Sequence, residues 1–151
     1  MAMMTAVGGC AAVTAKDKPM ALANSLRGLR FERSGGMLPM AIGGEVDLAG
    51  PNPSVTADGR TRPLNPAELT LFSSLDVARA RAAASPLTPA GAETYQWDVE
   101  LRTADGKTVD LRWNAHTPGD PGLDAKVPGL SGLSQWLDHE VTRMLDERMK
   151  R

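Results

Sequence analysis

The sequence predicts an α+β fold: about four antiparallel strands in one sheet, with two or three helices packed on one face. Three observations predict it. Leu29, Phe31 and Arg33 alternate with Arg30 and Glu32, and Ile42, Gly44, Val46 and Leu48 alternate with Gly43, Glu45 and Asp47, the period-2 pattern of strands with one buried face. The same alternation runs through Tyr95, Trp97, Val99 and Leu101, stops at Asp105-Gly106, and resumes at Val109, Leu111 and Trp113. Leu133, Trp136, Leu137, Val141, Met144 and Leu145 then recur at helical spacing over an otherwise charged Ser131–Met149 segment. Asp-Gly between two alternating runs is hairpin chemistry, so the second strand pair is antiparallel and a simple βαβ unit is excluded there.

Taken in order, the first two runs form a hairpin whose tip is Ser34 to Pro39. Residues 49–64, with three prolines and two glycines and neither period, read as a surface loop. Asn65-Pro66-Ala67-Glu68 has the form of a helix start: the Asn side chain accepts orphan amides, Pro sits where its missing N–H costs nothing, and Glu68 suits the third position. Leu71, Phe72, Leu75 and Ala78 continue one helix, Arg79 and Arg81 suit its negative end, and Ser85-Pro86 stops it. After the second hairpin, His116 to Gly122 is another Pro/Gly loop and Leu123 to Leu130 has room for a helical turn before the C-terminal helix. The three tryptophans, Trp97, Trp113 and Trp136, all fall on the apolar phase of their elements and are expected in the core.

A chain of 151 residues with 42% hydrophobic and 23% charged residues suits one domain with a modest core, here residues 25–151. Lys and Arg number 17 against 18 Asp and Glu, so no general attraction to nucleic acid or anionic membrane is expected. No stretch reaches the roughly 20 apolar residues of a membrane-spanning helix. Residues 1–24 show neither periodicity and read as a disordered leader or as a start assigned upstream of Met20. Val7-Gly8-Gly9-Cys10 resembles a lipoprotein cleavage site but lacks a basic region before it. The single cysteine, Cys10, allows no internal disulfide, and a cytoplasmic location is the expectation, with export or anchoring at Cys10 as the alternative.

The residues carry little chemistry. His139-Glu140-Val141-Thr142-Arg143 begins like a zinc-protease motif, but Arg143 stands where the second histidine belongs, and the other histidine, His116, lies in a proline-rich loop. The segment reads as a solvated helix face with Glu140 and Arg143 neighbouring across a turn. No serine sits in a nucleophile-elbow context, and neither Gly35-Gly36 nor Gly43-Gly44 leads into a phosphate-loop or dinucleotide fingerprint. No catalytic residue, metal site or cofactor is assigned. The glycine pairs are instead expected to serve backbone shape, by positive φ or a close approach to another chain.

What folding alone leaves unexplained is the hairpin tip, where Met37 and Leu38 follow two glycines and precede Pro39. An extended, apolar, proline-stiffened segment has the shape that a protease cleft or peptide groove accepts. The run Leu29-Arg30-Phe31-Glu32-Arg33-Ser34-Gly35-Gly36, the helix from Glu68 to Ala78, Tyr95 opening a strand, the Asp105-Gly106 hairpin and the Trp136-Leu137 helix together resemble emfourin, across residues 26–149. Emfourin-like proteins are small inhibitors of thermolysin-like zinc metalloproteases.

The resemblance implies a non-enzyme, monomeric when free, with a thermolysin-like metalloprotease as partner. Carried over, it implies a protease-binding inhibitory loop of Arg33, Ser34, Gly35, Gly36 and Met37, which is expected here to extend through Leu38 and Pro39, with Met37 or Leu38 filling the enzyme's apolar pocket. Met37-Leu38-Pro39 departs from the aromatic and small residues expected of the family at that place, and the leader and the 50–64 loop are longer. The zinc in such a complex belongs to the protease. The alternative expectation is an interaction or regulatory module of the same fold that uses the outer sheet face or the C-terminal helix and has no protease target.

Overall fold

The structure is a computed structural model that describes residues 24–35, 42–83, 87, 95–114 and 121–150. The strands are β1 (Leu26–Gly35), β2 (Ile42–Asp47), β3 (Ser54–Ala57), β4 (Arg60–Pro63), β5 (Tyr95–Thr103) and β6 (Thr108–Asn114). The helices are α1 (Pro66–Ser73), α2 (Val77–Ala82), α3 (Pro121–Lys126) and α4 (Leu130–Met149). The six strands form one sheet in the order β4-β3-β2-β1-β5-β6, with every neighbouring pair antiparallel. The α+β class is therefore as the sequence predicts.

Register aligns the apolar phases of the strands on one face. Leu29 lies opposite Val46 and Leu101, Phe31 opposite Val99, Val99 opposite Leu111, and Trp97 opposite Trp113, and all of these side chains are buried. Each such Leu or Phe removed from water contributes about 1.5–3 kcal/mol. The outer face carries Arg30, Glu45, Asp98, Arg102 and Arg112, with ion pairs Arg102–Glu45 at 2.9 Å and Arg112–Asp98 at 3.3 Å. Helix α4 covers the apolar face. Its Trp136 ring meets Phe31 of β1 edge-on at 5.9 Å and Phe72 of α1 at 5.0 Å, and its Ser134 Oγ accepts the Trp113 Nε1–H bond at 3.0 Å. All three tryptophans are core residues, as their phase predicts.

Four expectations are corrected. The sheet has six strands, not about four, because residues 54–63 of the expected surface loop form the β3–β4 hairpin. Its turn is Asp58-Gly59, with φ of 55° and 76°, the two left-handed residues of a type I′ turn. Asp105-Gly106, expected to make the tight turn, closes a longer loop in which the Gly106 N–H donates to Thr103 C=O and only the glycine is left-handed.

The described residues hold four helices rather than two or three, and the helix predicted from Asn65 is two. Its capping box forms: Asn65 Oδ1 accepts from Glu68 N–H at 2.8 Å and Glu68 Oε1 accepts from Asn65 N–H at 2.9 Å. The helix ends at Ser74, however, and Asp76 starts α2 by accepting the Arg79 N–H. The hairpin tip begins later than expected, since Ser34 and Gly35 are strand residues paired with Gln96 and Tyr95. Gly43 serves a close approach inside the sheet: a Cβ there would lie 2.0 Å from the Phe31 carbonyl oxygen. The leader Met1 to Ala23, including Cys10, lies outside the described residues, as do His116 and Gly36 to Ala41.

Candidate functional site

Strand β1 lies between β2 and β5, in the interior of the sheet, and β1 and β2 are joined through residues 36–41. Arg33 lies opposite both Ile42, the first residue of β2, and Trp97 of β5, and Gly35 lies opposite Tyr95. The two strands that residues 36–41 connect are the two central strands of the sheet. Strand pairing holds β1 on both sides as far as Arg33 and on the β5 side through Gly35.

Of the predicted loop residues, Arg33, Ser34 and Gly35 are described and Gly36, Met37, Leu38 and Pro39 are not. Arg33 does not present its side chain to solvent. It points to the core face on the phase of Leu29 and Phe31 and is 7% exposed. Its guanidinium carbon sits 4.4 Å from the Tyr95 ring centroid and 5.9 Å from that of Trp97, and Nη1 lies 3.7 Å from Oδ1 of Asp138 on α4. Arg33 Nε and Trp97 Nε1 are buried without a hydrogen-bond partner. The alternation of Leu29, Phe31 and Arg33 already placed this side chain inward. Its partner Asp138, more than 100 positions away, carried no signal in the sequence.

A second polar cluster was not anticipated. Glu140, read as part of a solvated helix face, is 5% exposed, and Glu68 of the capping box is 8% exposed. Arg62 of β4 binds both: Nη1 and Nη2 donate to Glu68 at 3.0 and 2.8 Å, and Nη2 also donates to Glu140 Oε1. Trp136 Nε1–H donates to Glu68 at 2.7 Å, and Arg143 Nη2 donates to the other Glu140 oxygen at 2.8 Å. The Arg62 hydrogen bonds hold the Glu68 carboxyl down to about 2, against a desolvation that pushes it up; the Asn65 and Trp136 N–H groups help lower it. Arg62 is raised in turn, chiefly by its bond to Glu68. Two carboxylates in one place suggest acid–base chemistry, but Glu68 is locked in its ionised form and its oxygens are committed to four donors. The cluster joins β4, α1 and α4.

His139 is exposed on α4. Among the described residues no group of three or more His, Cys, Asp or Glu side chains is placed to hold a metal ion, and no helix is long and apolar enough to cross a membrane. No protein-family model, curated protein or solved structure matches the chain.

Proposed function

We propose that the protein inhibits a thermolysin-like zinc metalloprotease by lodging the segment after Gly35 in the enzyme's cleft. The observation that carries this reading is the founding of that segment on the two central strands, joined to its sequence, Gly-Met-Leu-Pro. A peptide presented from paired strands loses less conformational freedom on binding than a free one, and the saving appears as affinity. Gly35 and Gly36 let the backbone approach the enzyme without a Cβ, and Met37 or Leu38 supplies the bulky apolar side chain that such enzymes take just after the scissile bond. Pro39 has no amide hydrogen to offer the enzyme, which hinders cleavage of the segment as a substrate. Arg33 acts from inside, as the base of the segment, and not as a contact residue.

The test is to titrate the purified protein into several thermolysin-like proteases while following hydrolysis of a small peptide. Inhibition is expected, with Gly36→Trp, Met37→Asp and Leu38→Asp each weakening it at unchanged melting temperature. A folded sample that leaves every enzyme active at about 10 μM, a binding free energy weaker than about −7 kcal/mol, refutes the reading. Loss of inhibition on changing the outer sheet face but not on changing Met37 and Leu38 would favour an interaction module instead.

A further inference from the structure

Arg33 is an arginine at a core position with little to gain there. Its ion pair with Asp138 is long, at 3.7 Å, and Asp138 is 34% exposed, so water competes for the carboxylate. Its Nε has no acceptor. Replacing a poorly satisfied buried cation by an apolar side chain of similar volume is often neutral or stabilising. The site is already lined with Tyr95 and Trp97, against which a methionine packs well. Stability is therefore a poor account of why the chain carries arginine here.

Direction is a better account. Arg33 is the last side chain on the inner face of β1 before Gly35 and Gly36, which have none to anchor. It contacts two further elements at once, the Tyr95 ring of β5 and Asp138 of α4, and it stands opposite Ile42, where β2 begins. A planar guanidinium over a ring with a carboxylate near one end has a preferred orientation that an aliphatic chain lacks, even where the ion pair adds little stability. We infer that Arg33 is a positioning residue: set between Tyr95 and Asp138, it fixes the end of β1 at Ser34 and Gly35, the footing from which the chain continues past Gly35, and is dispensable for stability. Its effect on inhibition rests on the protease-inhibitor reading; its effect on the strand end does not.

The experiment compares the full chain with Arg33→Met, Arg33→Lys and Asp138→Asn by melting temperature, by amide exchange of Ser34 and Gly35 in NMR, and by inhibition of a thermolysin-like protease. Arg33→Met is expected to melt within about 3 °C of wild type. It is expected to exchange faster at Ser34 and Gly35, and to inhibit about tenfold more weakly, which is about 1.4 kcal/mol. Arg33→Lys, which keeps a charge opposite Asp138, recovers part of both losses, and Asp138→Asn shows smaller losses of the same kind. Wild-type exchange and inhibition in Arg33→Met would overturn the inference. So would a fall in its melting temperature beyond about 10 °C, which makes the residue structural, or a lysine variant no better than methionine. Should the wild-type protein inhibit no protease, the inhibitor reading alone fails, and exchange at Ser34 and Gly35 still decides whether Arg33 holds the strand end.

Discussion

Removing the charge of Glu68 while keeping its shape, by Glu68→Gln, tests the polar cluster between β4, α1 and α4. The carboxylate is 10% exposed as a side chain and accepts four hydrogen bonds: two from Arg62, one from Asn65 N–H and one from Trp136 Nε1–H. Its pKa falls from an ordinary 4.5 to about 2, and at 1.36 kcal/mol per pH unit that is about 3 kcal/mol of folded-state preference for the ionised form. Because Arg62 is 34% exposed, water screens part of this, and about 2–3 kcal/mol is expected. The folded value lies below the unfolded one, so the stability is fully present above 4.5 and is lost as the pH falls toward about 2.

Urea unfolding followed by circular dichroism, with wild type and variant compared at each pH, cancels the titration of every other carboxylate. The variant should be about 2–3 kcal/mol less stable at pH 7, and the gap should shrink to about 1 kcal/mol at pH 3, where the wild-type carboxyl has lost most of its advantage. A gap independent of pH would refute the assignment of Glu68 as an ionised acceptor, and a gap under about 0.5 kcal/mol at pH 7 would refute its energetic weight.

Three further outcomes follow from packing and hydrogen bonding. Gly43→Ala places a Cβ 2.0 Å from the Phe31 carbonyl oxygen and 2.9 Å from Glu32 Cα, backbone atoms that yield only if β1 and β2 part, so a loss of about 3 kcal/mol is expected in urea melts. Gly132→Ala, where the new atom would meet Leu71 Cδ1 at 3.8 Å within α4, should instead stabilise by about 0.5–1 kcal/mol; both variants moving alike would discredit the geometry. Ser134→Ala strands the buried Trp113 N–H, and a loss of about 1–3 kcal/mol with an unchanged denaturant slope is expected; no loss would mean that the bond at 3.0 Å carries nothing.

The strands that were legible in the sequence are those whose inward residues are apolar. Leu29 and Phe31, Val46, Trp97 to Leu101, and Val109 to Trp113 bury one face against α4, and burial imprints a period on the sequence. Strand β3 buries only Val55 and Ala57, too short a run to set a period, and β4 left no such imprint because its inward positions are Arg60 and Arg62. They are matched by Glu147 and by Glu68 with Glu140, side chains from α4 and α1, so the complement of each arginine is invisible from its own neighbourhood. The hairpin's one local signal was Asp58-Gly59, the same dipeptide that marked the β5–β6 turn. The break between α1 and α2 had a signal as well, Asp76 as a cap, hidden by an apolar spacing that runs through it. At the candidate site the phase of Arg33 was readable, and the distant carboxylate that receives it was not.

These two modes of attachment also divide the sheet by resistance to opening. The β3–β4 edge is docked on α4 largely by ion pairs: Asp58 with Arg148 at 2.8 Å, Arg60 with Glu147 at 3.3 Å, and Arg62 with its two glutamates. The outer two involve side chains well exposed to water, and such pairs contribute at most about 1 kcal/mol each and weaken with salt. The centre is held by the Phe31, Trp97 and Trp136 rings and by ladders on both sides of β1. Local opening under native conditions therefore starts at the edge hairpin and reaches β1 last. On the inhibitor reading proposed above, a segment that enters a cleft without adapting to it gains most from a stiff footing, and β1, the strand that leads into residues 36–41, is the one the fold releases last.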